Sequence, residues 1–227
     1  MVLEIDIIFK SGEELVSNSP QEKISDNQTE ITTIGLWIEA FGTFLSAIGN
    51  TPISAVNHNL LFDIDRVGDV LQLSGTTIQI EDEKNWTLNK YGNIVIAGGT
   101  SEEIYANFRP DRGSEIQEQI YSQSTAIQAV GTALALADSL EQSNSTIEIC
   151  NVYANSLQVI GLSIESISSI YENEQRENFV NSVGHWIQFS GAALAAICHE
   201  KTNPYFSKYT LDNTQNQYSY SYYFLNH

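Results

Sequence analysis

Small and large residues recur along this chain in a fixed phase. In "GLWIEAFGTFLSAIG" Gly35 and Gly42 stand seven apart, and the same spacing joins Gly68 to Gly75, Gly92 to Gly99 and Gly184 to Gly191. Two further units replace the first glycine by Ser124 or Ala154 and keep Gly131 or Gly161. Three positions after the first small residue stands a large aliphatic: Ile38, Leu71, Val95, Ile127, Leu157 or Ile187. Seven further on stands Leu45, Ile78, Leu134, Ile164 or Leu194, and only the third unit breaks the rule, with Glu102. The second glycines of the six units fall at 42, 75, 99, 131, 161 and 191, with spacings of 33, 24, 32, 30 and 30. Such a heptad pattern is that of packed helices, and its repetition makes the unit the element of the fold.

A glycine inside a helix costs about 1 kcal/mol against alanine. Glycines held at one phase therefore indicate places where two helix backbones approach too closely for a side chain. Gly42, Gly75, Gly99, Gly131, Gly161 and Gly191 are the expected helix contact points, with Trp186, Ile187 and Leu194 of the last unit as core. A period of about 30 residues fits one long helix and a turn. Polar stretches such as "NTP", "RPDRGS", "EQSNST" and "ENEQREN" separate the units and offer Asn, Asp and Ser caps. Helices are expected near 32–49, 59–81, 88–107, 114–141, 145–172 and 177–201. The stretch 76–99 also reads as β-strands, but its phase with the other units favours helix. The fold expected is all-α: six repeated helices in an antiparallel bundle or short helical array, over 31–202. The segment 1–30, with "LEIDI", is strand-like or flexible, as is the Tyr-rich tail 203–227.

One polar column runs beside the aliphatic seam. It holds Glu39, Gln72, Gln128, Gln158 and Gln188, with Ile96 in the third unit. A polar group there either fixes helix register by hydrogen bonds or flanks the core in solvent. The register role is the reading preferred.

The units "GLWIEAFGTFLSAIGNT", "VGDVLQLSGTTI", "YGNIVIAG", "YANSLQVIGLSIESISSIYE" and "VGHWIQFSGAALAAI" resemble a family of repetitive proteins of Gram-positive spore-forming bacilli. That family is a domain of unknown function whose units read like G-x-W-I-Q-A-x-G-x-x-L-x-A-I-G. The resemblance covers roughly residues 30 to 202 and implies a helical fold and a bacterial source. It carries no catalytic residue to transfer.

Charge alters the functional picture. The chain carries 28 acidic and 10 basic residues, a net charge of −18, which repels phosphate backbones and anionic headgroups. Nucleic acid is not an expected partner. The start carries Glu4 and Asp6 inside its apolar run and has no basic n-region, so no signal peptide is expected and synthesis in the cytoplasm is. Cys150 and Cys198 read as buried reduced thiols, a bridge between them being possible but unsupported.

Candidate chemistry is sparse. "NIVIAGGTSEEI" suggests a strand, a glycine turn and a helix start, yet it lacks the third glycine of a dinucleotide-binding fingerprint. His185 and His199 on one helix stand ~21 Å apart and cannot share a metal. No nucleophile elbow occurs. No cofactor, metal site or catalysis is expected.

A membrane span needs about 20 apolar residues, and Ile34–Gly49 has Glu39 inside it. A permanent transmembrane bundle is therefore not expected, although conditional insertion of the Gly/Ala-rich helices, as in pore formers, is the runner-up. The first expectation is a non-catalytic structural or protein-binding role, with self-association through Tyr218, Tyr220, Tyr222, Tyr223 and Phe224.

Overall fold

The computed structural model describes residues 20–110, 113–142, 146–170 and 173–202, with side chains from residue 30 to 201. The N-terminal strand-like segment and the Tyr-rich tail with Tyr218, Tyr220, Tyr222, Tyr223 and Phe224 lie outside the described residues. Six helices follow one another: α1 Pro20–Gly49, α2 His58–Asp82, α3 Leu88–Asn107, α4 Glu115–Glu141, α5 Thr146–Ser168 and α6 Glu174–Thr202. Each is one sequence unit, and 76–99 resolves as the end of α2, a short loop and the start of α3.

The polar separators cap the helices as their chemistry requires. Asn57 accepts from the Asn59 amide, Thr87 from that of Lys90 and Ser114 from that of Gln117. Gly113, in the turn before α4, has φ of 74°, a conformation that glycine adopts without strain.

The helices pair as α1/α2, α3/α4 and α5/α6, the pairs join through α2/α3 and α4/α5, and α6 returns to α1. The result is a closed ring of antiparallel helices. Its upper end carries the α2–α3 connection, and its lower end carries the α1–α2 connection. Glycine sets the distance within each pair. A Cβ on Gly75 would lie 2.5 Å from the Glu39 nitrogen and the Gly35 oxygen, and one on Gly42 would lie 2.5 Å from the Gln72 nitrogen. Gly161 meets Gln188 and Gly184 across α5/α6 at 2.6 and 2.7 Å, and Gly191 meets Ala154 at 2.5 Å. In the middle pair a Cβ on Gly99 would lie 2.8 Å from the Ser124 oxygen, and one on Gly131 2.6 Å from the Gly92 oxygen. The joint that closes the ring is built of small residues as well, with Leu36 and Ala40 of α1 against Ala154 of α5 and Ala192, Ala195 and Ala196 of α6.

Two sequence expectations are corrected. Cys150 and Cys198 are bridged, with a Cα separation of 6.4 Å that suits a disulfide, because α5 and α6 run antiparallel and bring them to the same level. The assignment of large apolar side chains to the core also changes. Trp186 is 39% exposed and Ile187 is half-buried, while Leu194 packs against the alanine cluster. Large residues face outward because the glycine seams leave no room for them between paired helices.

Candidate functional site: a polar interior inside an apolar ring

The ring is built with polar groups inside. Thr43, Thr76, Thr100 and Thr132 each follow a seam glycine and are at most 1% exposed. Their hydroxyls donate to the carbonyls of Ala40, Gln72, Ile96 and Gln128 on their own helices. A threonine hydroxyl satisfied on its own helix needs no water, which lets it sit in a dry interior.

The polar column lies on this inner face. Glu39 of α1 accepts from Gln79 Nε2 of α2 at 2.5 Å. Gln72 Nε2 of α2 donates to Gln128 Oε1 of α4 at 3.1 Å, and Gln128 Nε2 donates to Glu103 Oε2 of α3 at 2.6 Å. Gln158 and Gln188 are buried on α5 and α6. Because α2 and α4 sit on either side of α3, the Gln72–Gln128 bond crosses the interior as a bar. A second bar links α4 to α6, where the Tyr121 hydroxyl and His185 Nε2 stand 2.8 Å apart.

The column does not stop at the positions that its motif marks. Seven residues to one side of it stand Thr32, Asp65, Asn89, Tyr121, Asn151 and Asn181, and seven to the other stand Ser46, Gln79, Glu103, Ala135, Glu165 and Ala195. All twelve are buried or half-buried. These residues were not singled out from sequence, yet heptad extension of the column finds them. Asp65 accepts from Asn50 Nδ2 at 2.7 Å, and Asp69 accepts from Asn107 Nδ2 at 2.7 Å and from the Ser46 hydroxyl at 3.1 Å. Glu165 is about 1% exposed, and its Oε1 lies 3.6 Å from His185 Nδ1. Neither of those atoms has a hydrogen-bond partner, nor does Asn181 Oδ1.

Two cavities open into this interior from opposite ends. The lower one, of about 180 Å³, is lined by Asp65, Tyr121, Glu165, Asn181 and residues of α3 and the end of α1. The upper one, of about 230 Å³, is lined from all six helices, Glu39, Gln79, Asn93, Ala135, Gln158 and Ala195 among them. Along α2 the order is Asp65 in the lower cavity, Gln72 in the bar and Gln79 in the upper cavity. At the mouths, burial raises the carboxyls of Glu148 and Glu177 above the ordinary range, with Asp138 adding to it at Glu148 and Glu118 and Glu174 at Glu177.

The outer face is the reverse. Its exposed positions include Ile34, Trp37 and Phe41 on α1, Val67 and Val70 on α2, and Tyr91 and Ile94 on α3. They continue with Ile127 and Val130 on α4, Ile160 and Ile167 on α5, and Trp186 and Ile197 on α6. Exposed charges gather at the ends, at Asp63, Glu81, Lys84, Glu115, Glu118, Glu141, Glu174, Arg176 and Lys201. Arg66 sits a few turns in, with its guanidinium over the rings of Phe62 and Phe108 and its Nε bonded to the Asn107 carbonyl at the lower end. The exposed apolar positions lie between these charged ends, with Ser74, Thr77, Ser101, Ser163 and Ser190 exposed among them. Among the described residues, only Glu30–Gly49 is long and apolar enough to cross a bilayer by length and composition alone, with a mean hydropathy of 1.5.

The stretch weighed and set aside as a nucleotide motif is no phosphate cradle. "NIVIAGGTSEEI" lies inside α3, where Gly98 faces outward with nothing within 4 Å of its Cβ position and Gly99 belongs to the seam. Among the described residues no group of three or more His, Cys, Asp or Glu is arranged to hold a metal ion.

Fold and interior together define a class, that of six-helix repeat rings with a polar axis. The chain belongs to the family of unknown function DUF6944, whose model matches residues 30–196, which take in part or all of every helix of the ring. No curated protein and no solved structure matches it.

Proposed function

We propose that this chain is a non-catalytic protein that works embedded in a lipid bilayer, as a ring that lets polar solutes pass along its axis. The observation that carries the reading is the inversion of the two faces. Buried Glu, Asp, Gln and Thr line the axis while large apolar and aromatic side chains stand exposed on every helix. In water that arrangement is unfavourable at the outer face, because exposed apolar area costs free energy. In lipid the outer face is solvated by acyl chains and the polar groups find partners inside.

Three further features support it. The belt encircles the ring, as a lipid environment requires, whereas one partner protein would cover one arc of it. Close glycine seams bring helices together by van der Waals contact, which suits a medium that supplies no hydrophobic drive between helices. A groove of about 440 Å³ along Ile34, Trp37, Ile38, Phe41 and Leu71 also has the chemistry of an acyl-chain contact. This reading goes beyond the runner-up from sequence, which is conditional insertion of a soluble protein, and takes up the resident membrane bundle that sequence speaks against. Counting consecutive apolar residues undervalues a helix that keeps one face for a polar axis.

The three tryptophans test it. Trp37 lies on the outer face of α1, Trp186 lies towards the lower end with its indole N–H donating to Thr51 Oγ1 of the α1–α2 connection at 3.0 Å, and Trp86 lies in the loop at the upper end. In phosphatidylcholine vesicles brominated deep in the acyl chains, single-Trp variants are expected to show strong quenching of Trp37, intermediate quenching of Trp186 and weak quenching of Trp86. A protein that stays with the aqueous fraction on flotation, with all three tryptophans unquenched, refutes the reading.

A further inference from the structure

We infer that the upper cavity binds a small neutral polyhydroxy compound, a short-chain polyol such as glycerol or erythritol. As the solute class for the axis this rests on the membrane reading, although the site is complete within one chain. The cavity follows from the heptad. One heptad step above the polar column stand Thr32, Gln79, Asn89, Ala135, Asn151 and Ala195, one from each helix, and all six line it. Four helices bring a hydroxyl or a carboxamide to this level, and α4 and α6 bring only alanine, which leaves about 230 Å³ open.

A second, independent observation points to an occupant. Asn93 of α3 and Gln158 of α5 line the cavity, and each is only 7% exposed. Neither carboxamide has a hydrogen-bond partner among the described residues. A carboxamide presents a donor and an acceptor side by side, the pattern that two adjacent hydroxyls match. The carboxylates of the cavity are already engaged. Glu39 accepts from Gln79 at 2.5 Å, Glu83 from Asn89 at 3.0 Å, Asp138 from Gln142 at 2.6 Å and Glu148 from Asn151 at 3.4 Å. No Lys or Arg lines the cavity, which turns anions away. Leu36, Ile96, Ala135 and Ala195 add apolar patches to the wall. Those patches suit the C–H groups of a polyol and offer water nothing, in the usual division of a pocket between apolar contact and a few orienting polar groups. By the ~30 Å³ share of a liquid water the space is that of roughly eight waters, which admits a short polyol and excludes a disaccharide.

The test uses the full chain in phosphocholine-detergent micelles, with equilibrium dialysis against labelled glycerol, erythritol or sucrose. Glycerol and erythritol are expected to bind, and sucrose is not. Erythritol is expected to shift the side-chain NH₂ signals of Asn93 and Gln158 in the NMR spectrum of the unaltered chain, a readout that stands even where a variant fails to fold. Asn93→Leu and Gln158→Met are each expected to weaken erythritol binding by up to about tenfold, the effect of one lost hydrogen bond. A chain that binds neither glycerol nor erythritol, or binds them with both NH₂ signals unmoved, overturns the inference. Equal binding by the wild type and both variants overturns it as well. Flotation and tryptophan quenching decide the membrane reading separately, so a chain that floats without binding polyol loses only this site. A chain that binds erythritol but does not float keeps the site and loses the axis.

Discussion

Glu165 and Ile167 stand two residues apart on α5 and live in opposite environments. Glu165 is buried to about 1% exposure among polar groups, while Ile167 is 50% exposed on the outer face. The same contrast separates Gln128 from Val130 on α4 and Glu39 from Phe41 on α1. The proposed membrane reading accounts for this contrast, since in a water-soluble bundle burial of apolar side chains is what pulls helices together. Here the helices are held by backbone proximity at glycine and by hydrogen bonds across the axis. The lesson is that heptad periodicity gives the orientation of a face only after the surrounding solvent is known.

The comparison breaks most sharply at the outer face. Ile160→Lys puts a charge in the middle of the belt of α5, where insertion into lipid costs about 2.5–3.5 kcal/mol. We expect a loss of that size in membrane partition, read by flotation or by detergent-to-vesicle transfer. In a water-soluble protein this exposed substitution would fall within about 0.5 kcal/mol of neutral, so an unchanged partition would point to an aqueous exterior.

A somewhat smaller effect is expected at the seam. Gly75→Ala places a methyl 2.5 Å from backbone atoms of Glu39 and Gly35, which have no free rotation to yield with. Overpacking of this kind costs about 1–3 kcal/mol, measured by denaturant unfolding in micelles. On the inner face Gln128→Leu leaves Gln72 and Glu103 without their bond and is expected to cost about 1–3 kcal/mol. Gly98→Ala is the counter-case and the smallest effect. It sits beside seam glycine Gly99 but faces outward into open space, so it is expected to stabilise α3 by up to about 1 kcal/mol. Opposite signs for Gly75→Ala and Gly98→Ala would separate seam glycines from incidental ones, whereas equal costs would show that backbone proximity is not what the seam glycines serve.

Much of the architecture was legible in the sequence. The six units are the six helices, and the expected boundaries lie within a few residues of those seen, apart from the start of α1, which runs back to Pro20. The phase of Gly75 and Gly161 announced where pairs meet, because only close approach explains a helix-destabilising residue kept at one position. The polar column was visible too, at Glu39, Gln72, Gln128, Gln158 and Gln188. Its continuation through Asp65, Tyr121 and Glu165 was hidden, since the glycine motif that sets the phase does not reach those positions. The direction of the faces was hidden for a deeper reason. Ile38 and Gln72 occupy adjacent heptad columns, and a heptad reads the same whether its apolar side meets neighbouring helices or lipid. The disulfide depended on the antiparallel pairing of α5 and α6, which sets Cys150 level with Cys198 across 48 residues of chain.

The ring closes because α6, the last helix of the third pair, reaches back to α1. Each pair is one hairpin of two sequence units, and each contributes an equal share of the circumference. Duplication of a single hairpin within the gene would therefore insert a wedge between existing neighbours, and the polar interior that the ring encloses would widen. In a chain made this way, copy number is a calibre.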